Sequence, residues 1–406
     1  MTEKKANFIC LDIGSHKIAT LAARIISETE VEVIDHGIYA SAGIKCGIVV
    51  DTPKAESAIS NALNNLEQKI KHHVDNVVVS FSGAKIRSSY IDHSLTLDNR
   101  PVTKNDLSLL IAKSVRSSNN KDSSVVHCFP IEFLVDGVKV RNPSGMVCEK
   151  LSASLHVVTA DPTALSNIGS CFSKSHVRVE EFSSSSIASG FAYFSSNPQD
   201  KGALLIDYGA MTTSITVFYE NVPVFLDYIP IGGWHITNDI AQVLGLDFAS
   251  AERLKVLYSH VADDAPSLTL DLDIYDQEKT IDALLLNEVV KARMTETLSL
   301  VKAKYEQLEN IDPTVAKNVV FTGGSSSIRG IDFLGGSVLQ VSRVRDFARH
   351  YNGPLIGEGD LQAYSAVLGM LSYRMRHYSN YYSSAALLTE KVSLFKKFMS
   401  YLRGVF

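Results

Sequence analysis

Two short stretches carry the side chains best suited to chemistry: CLDIGSHKIATLAA at 10–23 and LIDYGAMTTSITVF at 205–218. Each reads as an apolar strand, then Asp, one residue, Gly, a small or polar turn, and a second strand-forming run. Gly14 and Gly209 can take positive φ, which lets backbone N–H groups face a phosphate. Asp12 and Asp207 stand at strand ends, where carboxylates can hold Mg²⁺, usually through water because that ion dehydrates reluctantly. Ser15, Lys17, Thr212 and Thr213 add donors for phosphate oxygens. A single Asp-x-Gly is an ordinary hairpin turn. Two of them 195 residues apart, at matching places, point to two related halves that close on one phosphate ligand.

A third stretch, VVFTGGSSSIRGI at 319–331, runs a buried strand into Thr322-Gly323-Gly324 and then a helix, offering close backbone approach and a helix N-terminus. Other chemistries find no support. The 12 histidines form no metal-binding helix pattern, and the adjacent His72 and His73 read as solvent-facing. There is no Gly-x-Ser-x-Gly elbow. Five scattered cysteines without a CxxC pair read as reduced thiols, with neither zinc site nor disulfide frame. Trp234, the single tryptophan, follows Gly232-Gly233 and reads as a packed hairpin residue rather than a ligand stack.

These residues need elements to hold them. Apolar runs at 8–13, 31–40, 77–83, 203–209, 214–220 and 318–324 read as buried strands, alternating with helical-period stretches at 52–72 and 287–308. The second of these helices turns Val289, Met294, Leu298 and Val301 to a core. The pattern is α/β. At 406 residues, with 45% hydrophobic and 20% charged residues, the chain is a packed protein of more than one domain. Residues 84–163 differ in character from their surroundings and read as an inserted subdomain. The serine run Ser183–Ser186 and the Tyr/Ser-rich 378–384 are the low-complexity segments, the latter a tether. A net charge of −5 with dispersed cations argues against nucleic acid as a partner. The polar start and the lack of 18 successive apolar residues imply neither signal peptide nor membrane span, and a protein kept inside the cell.

The series Asp12-x-Gly14, SIASGFAYF (186–194), Asp207-x-Gly209 with Thr212-Thr213, Thr322-Gly323-Gly324 and AYSAVLGML (363–371) resembles the nucleotide signature of the actin, Hsp70 and sugar-kinase superfamily. Within it, VVSFSGAKI (78–86), HCFPIEFLVDGVKVRNPSGM (127–146), IPIGGWHITNDIAQVLGLDFASAERLK (229–255) and RMTETLSLV (293–301) are similar to the FtsA family of bacterial cell-division proteins. The resemblance implies an actin-like two-domain ATPase fold with duplicated RNase H-like halves and an inserted 1C subdomain. Subdomain 1A would hold 1–83, 164–200 and 360–380; 1C, 84–163; 2A, 201–230 and 310–359; 2B, 231–309. It implies ATP in the cleft, with Mg²⁺ at Asp12 and Asp207. Asp12, Gly14, Ser15 and Lys17 would hold the phosphates from one side, and Gly209, Thr212 and Thr213 from the other. Gly323 and Gly324 would cover the adenosine, and Glu252 with Lys255 would meet base or ribose; on residue type alone that pair is a surface i,i+3 ion pair. Lys291 and Arg293 would contact the C-terminal peptide of the ring protein FtsZ. Further implied partners are copies of the chain itself, in a filament, and later division membrane proteins.

Three departures bear on turnover. The family's second hairpin reads Asp-x-Gly-Gly-Gly-Thr-Thr-Asp, whereas this chain has Ala210, Met211 and Ser214, and Ser185-Ser186 replace a Glu-Pro. Loss of acids that orient the attacking water implies slow hydrolysis at best. The last segment adds a surface. After the 381–390 linker, residues 391–406 on a helical wheel place Val392, Phe395, Phe398, Met399, Leu402 and Phe406 on one half, with Lys396, Lys397 and Arg403 on the other. A basic amphipathic helix of this kind lies in the interface of an anionic membrane; family resemblance puts it on the inner face of the cell membrane at the division site. Alternatives are another actin-fold role: a pilus-assembly adaptor, which should lack the lipid-binding tail, or an Hsp70-like chaperone.

Overall fold

The computed structural model describes residues 5–200, 202–263, 269–274, 277–308, 315, 317–351, 353 and 361–376. The linker and the amphipathic segment at 381–406 lie outside the described residues.

The chain begins with three antiparallel strands, β1 (Phe8–Ile13), β2 (Lys17–Ile25) and β3 (Val31–Ala40). The small ladder β4 (Ile44–Lys45) and β5 (Ile48–Val49) leads into α1 (Thr52–Ile70). Asp51 caps that helix by accepting from the Lys54 N–H, and Ala55, Ile59, Ala62, Leu63 and Leu66 form its buried stripe. Strand β6 (Asn76–Phe81) then lies parallel to β1.

An insertion follows: β7 (Arg87–Pro101), α2 (Lys104–Ser118), β8 (Ser124–Val135), β9 (Val138–Val140) and β10 (Val147–Ala160). Its sheet, ordered β7-β10-β8-β9, has a core of its own with Leu107, Leu110 and Ile111 of α2. The chain returns through α3 (Pro162–Ser173) to β11 (Arg178–Ser184), parallel to β6. The first sheet is thus β11-β6-β1-β2-β3.

Helix α4 (Ser185–Ser196) crosses to the second sheet: antiparallel β12 (Gly202–Tyr208), β13 (Thr213–Tyr219) and β14 (Val222–Ile229). Next come α5 (Gly233–Leu244), α6 (Phe248–Tyr258), the ladder β15 (Thr269–Ile274) and β16 (Gln277–Asp282), and α7 (Ala283–Tyr305). Leu286, Val290, Met294, Leu298 and Val301 of α7 are buried, and Val289, half-buried, packs against the same core. Strands β17 (Asn318–Thr322) and β18 (Arg343–Asp346) add in parallel, separated by α8 (Ile331–Leu339). The order β14-β13-β12-β17-β18 repeats that of the first sheet strand for strand and direction for direction. The two halves are duplicates, as the paired Asp-x-Gly motifs imply.

After the one-turn helix α9 (Phe347–His350), α10 (Leu361–Arg376) packs on α4, β1 and β2. At the α4–α10 crossing a Cβ on Gly369 would lie 1.6 Å from the Ala188 carbonyl oxygen, so only glycine permits the contact. The first core runs on through these helices to Phe218 and Leu226 of the second sheet. The inserted sheet also covers the β14 edge. Tyr90 donates to the Val224 carbonyl (2.7 Å), the Leu226 N–H donates to Ser88 Oγ (2.7 Å), and His156 sits 2.7 Å from both Ser88 Oγ and the Pro223 carbonyl. No described helix is long and apolar enough to cross a membrane.

Candidate nucleotide site

The β1–β2 and β12–β13 hairpins close in the same way. The Gly14 N–H donates to the Lys17 carbonyl at 3.0 Å, and the Gly209 N–H to the Thr212 carbonyl at 2.9 Å. Neither glycine has positive φ, contrary to the sequence expectation. What requires glycine there is room: a Cβ would lie 2.9 Å from the Lys17 oxygen and 3.0 Å from the Thr212 oxygen. Positive φ falls instead on Gly323, at 87°, where a Cβ would meet Asp207 Oδ1 at 2.5 Å. After Gly323 comes one 3₁₀ turn, Gly324–Ser327, and not the regular helix expected; that begins at Ile331.

The hairpins face each other across a cavity of about 530 Å³, within the usual range of about 300–1,000 Å³ for small-molecule sites. Asp12, Gly14, Ser15, Lys17, Asp207, Gly209, Thr212, Glu252, Lys255, Gly323 and Gly324 all line it. Thr213 does not: its side chain is buried in β13 and donates to the Ile231 carbonyl at 2.8 Å, so it is no phosphate donor. The Lys17 ammonium donates to the Ala363 carbonyl at 2.7 Å, anchoring the first hairpin to α10. Ser15 Oγ accepts from the Cys46 N–H at 3.0 Å and keeps its own proton to donate.

Two carboxylates with different surroundings stand at the centre. Asp12 Oδ1 accepts from Ser80 (2.7 Å) and Ser185 (2.6 Å). Loss of solvent pushes the Asp207 carboxyl up to about 7; the Asp12 charge adds to the rise and Lys17 opposes it. Thr322, the register partner of Asp207 on β17, keeps a buried hydroxyl without a hydrogen-bond partner. Facing carboxylates beside an orphaned hydroxyl fit a hydrated divalent cation, which Asp12 and Asp207 would hold and which would supply charge for neutralising a phosphate. No group of three or more His, Cys, Asp or Glu among the described residues could hold a metal alone, so waters and phosphate would complete its shell.

Glu252 and Lys255 are not a surface pair. Lys255 Nζ donates to the Gly233 carbonyl (3.0 Å), Thr237 Oγ1 (2.8 Å) and Glu252 Oε2 (2.7 Å), which occupies all three protons. Burial lowers the Lys255 ammonium, with Glu252 opposing the shift; burial raises the Glu252 carboxyl, but Lys255 outweighs that and leaves it lowered. The pair joins α5 to α6 along the cavity wall. The start of α5 is also committed: the Gly233 and Trp234 N–H groups donate to the Gly209 and Ala210 carbonyls at 3.0 and 2.7 Å. Trp234 is therefore a first-turn helix residue and not a hairpin residue. It is 40% exposed, pairs with Phe248 at 5.5 Å between ring centroids, and lines the cavity with it. Ala210 and Met211 line the cavity too, and the Met211 carbonyl accepts from the Cys46 thiol at 3.6 Å.

Ser80 and Ser185 carry no motif of their own, and only strand register and the start of α4 bring them to Asp12. Away from the cleft, Lys291 pairs with Asp263 at 2.6 Å. Arg293 binds both oxygens of Asp239, at 2.5 and 3.0 Å, and one of Glu296.

Duplicated five-stranded sheets, joined by crossed helices and closed by matching hairpins around a cavity, define an actin-like ATPase fold. Solved structures agree in architecture. The PilM-PilN type IV pilus biogenesis complex aligns with a TM-score of 0.64 at 13% identity, over 91% of this chain and 99% of that chain. MreB5 of Spiroplasma citri bound to ADP aligns at 0.54 and 14%, over 94% and 99%, and the MamK double helical filament at 0.53 and 13%, over 90% and 98%. The chain belongs to the FtsA family. The profile of Cell division protein FtsA matches residues 204–369, and that of the SHS2 domain inserted in FTSA matches 83–159. It is 31% identical to Cell division protein FtsA of Rhizobium meliloti (strain 1021), over 79% of this chain and 76% of that protein. With that of Borreliella burgdorferi it shares 25% identity over 98% and 97% of the two chains.

Proposed function

We propose that this FtsA-family protein binds ATP with Mg²⁺ between its halves and polymerises on the inner face of the cytoplasmic membrane. There it tethers the FtsZ ring at the division site and helps recruit later division membrane proteins. The observation that carries the nucleotide reading is the pair of matching hairpins, with Asp12 and Asp207 facing one cavity. In that reading Ser15, Lys17 and Thr212 hold phosphate oxygens. The cation, when bound, would neutralise phosphate charge and relieve the repulsion between Asp12 and Asp207. Trp234, Phe248, Glu252, Lys255, Gly323 and Gly324 surround the remaining ligand. Ser185 and Ser214 carry hydroxyls where the family has acids; the first is tied to Asp12 and the second is buried in β13, so neither position orients water through a carboxylate. Turnover stays below about 1 s⁻¹, which a steady-state phosphate-release assay reads directly.

Lys291 and Arg293 of α7 are the contacts for the acidic FtsZ C-terminal peptide, which must compete with Asp263, Asp239 and Glu296. The tether is residues 391–406: Lys396, Lys397 and Arg403 together contribute about 3 kcal/mol toward an anionic surface before apolar burial, and assembly multiplies one weak anchor. Co-sedimentation with anionic liposomes tests this. Full-length protein pellets and a truncation lacking 387–406 stays in solution; if both stay in solution, the tether is wrong and the adaptor reading gains.

A further inference from the structure

The serine run from the end of β11 into α4, with Ser189 one turn on, sits where four parts of the molecule meet. Ser184 donates its N–H to His127 Nε2 at 2.9 Å, and Ser183 Oγ lies 3.4 Å from the same nitrogen. His127 comes from β8 of the inserted sheet, where it is buried and stacked on Phe129. Ser185 donates to Asp12 Oδ1 at 2.6 Å, alongside Ser80 at 2.7 Å. Ser186 shares a 2.6 Å hydrogen bond with Thr216 of the second sheet. One turn on, Ser189 donates to Ser365 of α10 at 3.0 Å, and Ser365 lines the cavity.

We propose that Ser185, with Ser80, is the positioning residue of Asp12, and that His127 fixes the backbone beside it so that the inserted sheet helps set the cation site. The inference rests on the ATP and Mg²⁺ reading above. A carboxylate turns freely about its last torsion, which is broad and nearly two-fold. Two hydroxyls donating to one oxygen stop that rotation and leave the other oxygen a constant direction. Each hydroxyl has a single proton, so a serine committed to Asp12 cannot also donate to a phosphate or a water. Bonds to an ionised acceptor are roughly twice as strong as neutral ones, so loss of one is felt at the carboxylate before it is felt in the fold. His127 accepts at Nε2 from a backbone N–H, so its neutral form, protonated on Nδ1, serves here.

Full-length protein is titrated with ATP in the presence of Mg²⁺ and again in EDTA, by calorimetry. Ser185→Ala weakens Mg²⁺-dependent ATP binding about tenfold and raises the Mg²⁺ midpoint correspondingly, while affinity in EDTA stays within about twofold. Ser185→Thr restores the wild-type midpoint. His127→Ala shifts the midpoint in the same direction by about threefold. If Ser185→Ala lowers the melting temperature sharply, Ser80→Ala removes the other donor and gives the same reading. Wild-type protein that binds ATP, with Ser185→Ala and Ser80→Ala of unchanged Mg²⁺ dependence, overturns this proposal alone. Wild-type protein that binds no nucleotide overturns the ATP reading and this inference with it.

Discussion

Gly323 and Trp234 show how a single side chain, or its absence, shapes the cavity. Gly323 combines a φ of 87° with a Cβ position 2.5 Å from Asp207 Oδ1, so Gly323→Ala meets both backbone strain and a clash with the carboxylate. We expect it to destabilise the protein by about 1–3 kcal/mol in a urea titration and to abolish ATP binding. Trp234 is the chain's sole tryptophan and stands half-exposed on the cavity wall. Addition of Mg²⁺ and ATP should therefore shift its emission, and Phe248→Ala should alter that response by removing the neighbouring ring. A spectrum unmoved by saturating nucleotide would place the ligand away from α5. Most residues around the cavity were legible because Asp-x-Gly and Thr-Gly-Gly announce strand-to-turn junctions. Thr213 was not: motif spacing fixes a residue's neighbourhood, but the alternation of side chains along β13 turns its hydroxyl toward Ile231.

At the scale of elements, the crossing of α4 and α10 depends on Gly369. Gly369→Ala puts a methyl group against the Ala188 backbone, where no rotamer can relieve it. A loss of at least about 2 kcal/mol is expected, seen as a lower denaturant midpoint with little change in slope. The clasp between the inserted sheet and β14 has a pH signature. Burial depresses His156 to about 4, with its hydrogen bond to Pro223 opposing the shift. Below about pH 6.5 the unfolded chain takes up a proton that the folded protein refuses, so stability falls between about 6.5 and 4, by about 3 kcal/mol in all. Comparison of wild type with His156→Gln across that range isolates the effect; a constant difference would mean that His156 does not titrate there. Strands and helices were readable from apolar period, since buried strands and amphipathic helices differ in spacing. The clasp was invisible because Ser88, His156 and Pro223 meet only through tertiary packing. The 3₁₀ turn after Gly324 escaped for a similar reason, since its four residues contain too little pattern to separate it from a helix.

For the whole molecule, the first core passes through α4 and α10 into the second sheet, so the halves should unfold together. Differential scanning calorimetry is expected to show one main transition, raised when Mg²⁺ and ATP are added; ligand at about 100 times its Kd adds about 2.7 kcal/mol. Two separated transitions for the halves would contradict the shared core. The duplication itself was legible from two motifs, and the matching strand orders extend it to entire sheets.

The covered edge of β14 also bears on how copies of this chain can meet. An open edge strand is a template on which another chain can hydrogen-bond, and regular filaments or disordered aggregates can both grow from it. Here the Pro223 and Val224 carbonyls and the Leu226 N–H are already spoken for by the protein's own inserted sheet. Strand addition is closed at these positions of β14, so a copy that docks on this side must do so through side-chain surfaces, whose contacts can be made and released without unpairing a sheet.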